Sequence, residues 1–190
     1  MGNRPETLLG LALLASAWVP APPAIAADYL SVEAAQRALF PEAGEFAPIV
    51  VALDDAGRRR LLELAGPQPQ HGTLRIWAAR RDGRVVGHVL VDEVVGRVDL
   101  ITYAVGIDAA GRLRTPEILS YRESHGGEIR AAGWRRQFAN RDDLAALRFG
   151  RDVKNIAGAT LSSEHVTQGI RWLLALWQTA LQPSPVADSR

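Results

Sequence analysis

The sequence contains no cysteine among its 190 residues. This absence excludes disulfide bonds, thiol redox chemistry, cysteine-ligated iron–sulfur clusters and c-type haem attachment. A redox role would therefore need a cofactor held in another way. An excess of one charge is also missing, since 22 Lys and Arg residues face 21 Asp and Glu residues. The arginine clusters are interleaved with apolar residues at helical spacing, which indicates solvated helix faces and predicts no nucleic-acid partner.

Common catalytic patterns are absent as well. The chain has no G-x-S-x-G nucleophile turn, no phosphate-binding G-x-x-x-x-G-K-[ST] loop and no G-x-G-x-x-G. Its histidines form no H-x-H or H-x-x-x-H pair. We therefore expect no metal site and assign no catalytic residue. We interpret His88, inside a predicted strand, as a packing or surface residue. The four histidines are His71, His88, His125 and His165.

The N-terminal region has the pattern of an export signal. Arg4 precedes the apolar run "LLGLALLASAWV", which is too short for a stable membrane span. Ala24 and Ala26 then form an A-x-A processing site. We interpret residues 1–26 as a signal peptide cleaved after Ala26 or Ala27, with a retained anchor helix as the alternative. The expected location is the periplasm, and association with the membrane is left open.

Two helices are predicted in an N-terminal helical segment, residues 27–72. The stretch "SVEAAQRALFP" offers Ser31 as N-cap and Pro41 as a stop. The stretch "DDAGRRRLLELAG" is bounded by Asp54 and by Gly66.

From Thr73 the pattern changes to extended runs separated by turn residues such as Asp82-Gly83. Such short connections require antiparallel neighbours. The last element is a helix over 163–181 whose apolar stripe indicates packing on one face. The sequence predicts an α+β fold, an antiparallel four-stranded meander packed with helices, in a domain covering 73–181 and followed by a flexible tail, 182–190. The predicted strands are 73–80, 84–95, 98–107 and 112–121.

The stretch "NIAGATLSSEHVTQG" lies where this last helix begins. Gly158 and Ala159 leave the backbone unencumbered just before a helix, whose first amides have no intrahelical partners. Such a helix start favours an anion. The hydroxyls of Thr160, Ser162 and Ser163 can cap the helix or bond a phosphate. A capped helix after a glycine turn, with no ligand, is the alternative interpretation.

The segment "NIAGATLSSEHVTQGIRWLL" resembles the end of the FMN-binding domain found in subunits of the sodium-pumping NADH:quinone oxidoreductase and of the Rnf electron-transport complex, and in many exported single-domain proteins. In that family a [Ser/Thr]-Gly-Ala-[Thr/Ser] segment receives FMN through a phosphoester to its final hydroxyl residue, which corresponds to Thr160. The stretch "YRESHGGEI" is similar to the family's Glu-Thr-Pro-Gly loop and places Glu123 and Gly126 at that spacing.

The resemblance implies a redox carrier, not a stand-alone enzyme, with FMN attached to Thr160 by a separate flavin transferase. A membrane-bound reductase or a haem-containing protein is the implied electron-transfer partner. Tyr121 and Trp134 are candidates for stacking near the flavin ring, although core packing is the preferred interpretation for both. The implied cofactor-binding residues are Gly158, Ala159, Thr160, Leu161, Ser162 and Ser163 in the turn, and Glu123, Ser124, His125 and Gly126 in the loop.

Two positions depart from the family pattern. Ala157 stands where Ser or Thr is usual, and Lys154 stands where an Asp is usual, with Asp152 nearby but out of register. A second interpretation therefore stays open, a non-catalytic binding module that holds FMN or another anionic ligand reversibly at the same site. A hydrolase that pairs Ser162 or Ser163 with His165 is a third.

Overall fold

The computed structural model describes residues 27–68, 73–123 and 126–182, and the predicted signal peptide lies outside them. Within these ranges the chain forms one antiparallel sheet of six strands in the order β2-β3-β4-β5-β6-β1. The strands are β1 Ala27–Asp28, β2 Glu45–Ile49, β3 Arg75–Arg81, β4 Arg84–Val95, β5 Leu100–Asp108 and β6 Glu117–Tyr121. Strands β3 to β6 are the predicted meander, and the α+β fold class is confirmed.

The sheet has one more strand at each edge than the sequence predicts. At one edge β2 pairs with β3, and at the other β1 pairs with β6. Strand β2 carries Pro48, which cannot donate a ladder hydrogen bond and is tolerated at a sheet edge. A short strand that contains proline and a strand of two residues carry too little periodic pattern to be recognised. The segment 27–72 thus contributes two strands besides its two expected helices.

Two strand starts differ from the prediction for local reasons. Strand β6 begins at Glu117 and not at residue 112, because Pro116 has no N–H for the ladder. Strand β5 begins at Leu100 and not at residue 98. The amides of residues 97–99 are taken up by a side chain near the candidate site, as described below.

Helix α1, Val32–Leu39, begins where Ser31 Oγ accepts a hydrogen bond from the amide of Ala34 at 3.2 Å. Helix α2, Asp55–Ala65, begins in the same way at Asp54, whose carboxylate accepts from the amide of Gly57 at 2.7 Å. Both helices were predicted from these caps. Helix α1 covers one face of the sheet, where Leu39 and Phe40 belong to the smaller of two buried apolar clusters.

Helix α4, Thr160–Ala180, covers the other face and packs against α2. Its predicted stripe is buried in the larger apolar cluster, apart from Leu181, which is partly buried. The indole Nε1 of Trp177 donates to Nδ1 of His88 at 3.0 Å, so His88 is a packing residue. Burial lowers the pKa of His88, which keeps this nitrogen available as an acceptor.

Between β6 and α4 the chain forms short turns and the helix α3, Ala132–Arg135. Trp134 is buried, packs edge-on against Phe138 and donates from Nε1 to the carbonyl of Lys154 at 2.9 Å. It therefore fixes the chain just before the start of α4 and is a packing residue. In the described ranges, none of the helices has the length and apolar character needed to cross a membrane.

Candidate functional site

Three separate segments line one cavity of about 430 Å³ beside the start of α4. Arg97 comes from the loop between β4 and β5, and Glu123 from the loop after β6. The third wall is the turn 158–162. The cavity is thus lined by Glu123 of the predicted loop and by five of the six residues predicted in the turn, all except Ser163.

The turn presents backbone amides to this cavity. Gly158 has a φ of +82°, a conformation that side-chain-bearing residues rarely adopt. Ala159 is the N-cap of α4, and no side chain caps the helix. The amides of the first turn have no intrahelical acceptor, and the helix dipole adds positive potential there. The turn is therefore suited to an anionic group.

The three hydroxyls near the turn differ sharply in exposure. Thr160 is exposed and lines the cavity, whereas Ser162 is 3 % exposed and Ser163 is 0 % exposed. The hydroxyls of Ser162 and Tyr121 lie within hydrogen-bond distance of each other, at 3.3 Å. Ser163 Oγ lies 2.9 and 3.0 Å from the carbonyl oxygens of Ala159 and Thr160, and its single proton is shared among these acceptors and Oδ1 of Asn155. Of these three residues only Thr160 presents an exposed hydroxyl, and none of the three caps α4 with its side chain.

Asn155 connects two of these hydroxyl residues. Its Nδ2 donates to Thr160 Oγ1, and its Oδ1 accepts from Ser163 Oγ, both at 3.1 Å. Its side chain thus spans the turn from the preceding loop to α4. Asn155 was not predicted as a site residue, although an amide side chain just before a glycine turn is a signal for such bridging.

Glu123 organises the opposite wall. Its Oε1 accepts from the amides of Arg97, Val98 and Asp99, the last two at 2.6 and 3.0 Å. Three backbone amides of the loop that follows β4 thus donate to one carboxylate oxygen, and hydrogen bonds to a charged acceptor are stronger than those to a neutral one. Glu123 therefore holds the loop in position besides lining the cavity, a role that the sequence analysis did not predict.

Gly126 packs directly against Ala159. A Cβ placed on Gly126 would lie 2.3 Å from the Cβ of Ala159 and 2.6 Å from the hydroxyl of Tyr121, and its φ is +88°. Only glycine fits this position. The two motifs that the sequence analysis took as separate signals are therefore in contact. Ser124 and His125, predicted between Glu123 and Gly126, lie outside the described residues.

A second cavity of about 730 Å³ adjoins the first, with Glu123 lining both. Tyr29, Tyr121 and Gly126 contribute to its wall. Tyr121 is buried, and desolvation raises the pKa of its hydroxyl, so it stays protonated. Arg130 lies over the ring of Tyr29, 3.9 Å from its centre. An elongated ligand with an anionic end at the turn would have room to continue here.

Asp152 does not replace the acidic residue missing at position 154. Its Oδ2 accepts from the backbone amide and from Nε of Arg148, at 3.2 and 2.9 Å. The hydrogen bonds from Arg148 lower the pKa of Asp152, so this carboxylate is charged and engaged within its own turn. The side chain of Lys154 is exposed.

The described residues do not form the serine–histidine pair that a hydrolase would need. Nδ1 of His165 donates to the carbonyl of Val95 at 2.6 Å, while Ser162 and Ser163 use the partners given above. Within residues 27–68, 73–123 and 126–182, no group of three or more His, Asp or Glu side chains is placed to hold a metal ion.

Arg97 is the residue of this cavity that the sequence analysis missed. It lies outside both recognised motifs, and a cation following the glycine at a strand end is a weak signal by itself. Only the tertiary structure brings it to the turn.

Comparison with known proteins agrees with this geometry. No curated protein matches the sequence. Residues 96–175 match the family model of the FMN-binding domain, a range that includes the loop of Arg97, the loop of Glu123 and the turn before α4. Residues 96–175 of this chain belong to the FMN-binding domain family.

Proposed function

We propose that this protein is an exported carrier of FMN that transfers electrons, with the FMN phosphate at the turn 158–162 and esterified to Thr160. The free amides of the first turn of α4 and the uncrowded Gly158 fit a phosphate group. The adjoining cavity beside Tyr29 and Tyr121 has room for the rest of the molecule. FMN, when bound, supplies one- and two-electron redox chemistry, which the side chains of a cysteine-free chain do not offer.

The exposure of Thr160 is the observation that supports this residue as the attachment site. An attaching enzyme must reach the hydroxyl, and Ser162 and Ser163 are buried and hydrogen-bonded. Thr160 lies in the cavity and is exposed.

The esterification needs a second protein. A threonine hydroxyl is a poor nucleophile without a base, and the side-chain partner of Thr160 is the Nδ2 group of Asn155, a donor. A flavin transferase would form the bond between Thr160 Oγ1 and the FMN phosphorus of FAD, with AMP as the leaving group. The further partner we propose is a membrane-bound reductase or a haem-type electron-transfer protein. The predicted signal peptide supports a periplasmic location.

A reversible FMN-binding module is the second candidate, and a specific feature favours it. Lys154 occupies the position of the family's usual Asp, and Asp152 is held by Arg148. If a transferase reads that acidic residue, the chain would bind FMN without the covalent bond.

Co-expression with a flavin transferase distinguishes the two candidates. On a denaturing gel, covalent attachment gives a fluorescent flavin band in wild type and in Thr160→Ser, and none in Thr160→Ala. Ser162→Ala is the matched control and retains the band. A dark wild-type band would contradict the covalent bond. If the native protein is yellow and loses FMN on unfolding, the reversible module is supported instead.

A further inference from the structure

Arg97 is a cationic residue that lines the cavity. Its backbone amide is bound by Glu123, which fixes where the side chain starts. Among the described residues, the guanidinium has no hydrogen bond or ion pair. The nearby arginines differ, since Arg130 lies over Tyr29 and Arg135 is paired with Glu117 at 2.7 Å.

The charges around the cavity favour a cation beside a bound phosphate. Glu123 places a carboxylate in the same wall, and a phosphomonoester brings up to two further negative charges. Backbone amides at a helix start supply partial charges only. Of the described residues that line this cavity, Arg97 is the one with a cationic side chain. A guanidinium can donate two parallel hydrogen bonds to phosphate oxygens.

We propose that Arg97 is the phosphate-recognition residue of this site, so that the site selects the phosphomonoester FMN over uncharged riboflavin. This inference rests on the proposed FMN function and deepens it. Because the Arg97 side chain is exposed and has no partner among the described residues, its substitution removes a ligand contact and no side-chain contact within those residues.

The test is a binding titration of the full chain produced without a flavin transferase. FMN and riboflavin are each titrated at low salt, with quenching of flavin fluorescence as the readout. We expect wild type to prefer FMN. We expect Arg97→Leu to weaken FMN binding by roughly tenfold to hundredfold, with riboflavin binding unchanged. Arg97→Lys keeps the positive charge but loses the pair of parallel N–H donors of the guanidinium, so we expect it to retain part of the preference for FMN over riboflavin.

The control is Arg84→Leu. Arg84 is an exposed arginine at the opposite end of β4, and its substitution leaves both affinities at wild-type values. The FMN affinity of wild type also falls with added NaCl, and more steeply than that of Arg97→Leu.

The role of Arg97 and the FMN function are tested separately by these titrations. If wild type binds FMN and Arg97→Leu keeps the same ratio of FMN to riboflavin affinity, the role of Arg97 is wrong and the FMN function stands. If wild type binds neither flavin but gains a fluorescent band with a flavin transferase, the role of Arg97 is wrong and the FMN function stands. If it binds neither flavin and also gains no band, the proposed function fails and this inference fails with it.

Discussion

The side chain of Asn155 donates a hydrogen bond to the hydroxyl oxygen of Thr160 at 3.1 Å. This bond occupies one lone pair of Thr160 Oγ1 and directs the hydroxyl proton elsewhere. Asn155 thereby orients the atom that we propose as the attachment point. It does so as a positioning residue, since Asn155 does not line the cavity.

We expect Asn155→Ala to slow flavin attachment to Thr160 by about threefold to tenfold, as the loss of one hydrogen bond of about 1 kcal/mol would do. Asn155→Asp also lacks the donor, and its negative charge repels the phosphate, so we expect it to slow attachment further. Attachment is followed as flavin fluorescence on denaturing gels over time. Gln178→Ala, at the far end of α4, is the control and keeps the wild-type rate. An unchanged rate in both Asn155 variants would show that the bond does not orient the hydroxyl.

We expect Gly126→Ala to destabilise the fold by about 2–4 kcal/mol, because the added methyl group meets Ala159 and the left-handed backbone is strained. Gly133→Ala is the matched control. Gly133 lies in α3 with no heavy atom within 4 Å of an added Cβ, so alanine there is tolerated. Urea unfolding of both variants gives the two free energies. Equal values would contradict the close packing of the two motifs.

A buried carboxylate predicts a pH dependence of stability. Asp92 is 1 % exposed, and the hydroxyl of Tyr103 donates to its Oδ2 at 3.1 Å. Its Oδ1 has no partner among the described residues. Burial raises the pKa of Asp92 from 3.8 to about 6. Because the folded-state pKa lies above the unfolded one, the protonated group's stabilising contribution is complete below pH 3.8 and is lost as the pH rises through about 6.

Asp92→Asn stays neutral, so we expect it to exceed wild type in stability at pH 7.5 by on the order of 3 kcal/mol. The difference shrinks towards pH 4.5. Urea unfolding at both pH values measures it. Asp82→Asn, in an exposed hairpin turn, is the control for exchanging a carboxylate for an amide. A difference for Asp92→Asn that does not change with pH would contradict the raised pKa of Asp92.

Much of the fold could be predicted because its signals are local. Ser31 and Asp54 each begin a helix by a bond to an amide three residues later, and Asp82-Gly83 turns the chain between β3 and β4. The apolar stripe of α4 predicted which face is buried. Strand β2 was missed because Pro48 resembles a loop signal, and only its pairing with β3 makes it a strand.

The site could be predicted only in part, because its chemistry depends on distant neighbours. The hydroxyls of Thr160, Ser162 and Ser163 look equivalent in the sequence, and packing alone makes one exposed and two buried. Arg97 and Glu123 reach the turn through the register of β4, β5 and β6. No local pattern carries that register.

The sheet and the cavity differ in how far apart their parts lie along the chain. From β3 to β6 every strand pairs with the next strand through a short connection, so these contacts are local and can form early in folding. The cavity brings together Arg97, Glu123 and the turn 158–162, which starts the last helix. We therefore expect a chain that is still emerging from a ribosome or a translocon to complete its sheet first. Competence to receive a cofactor would come last, when α4 docks.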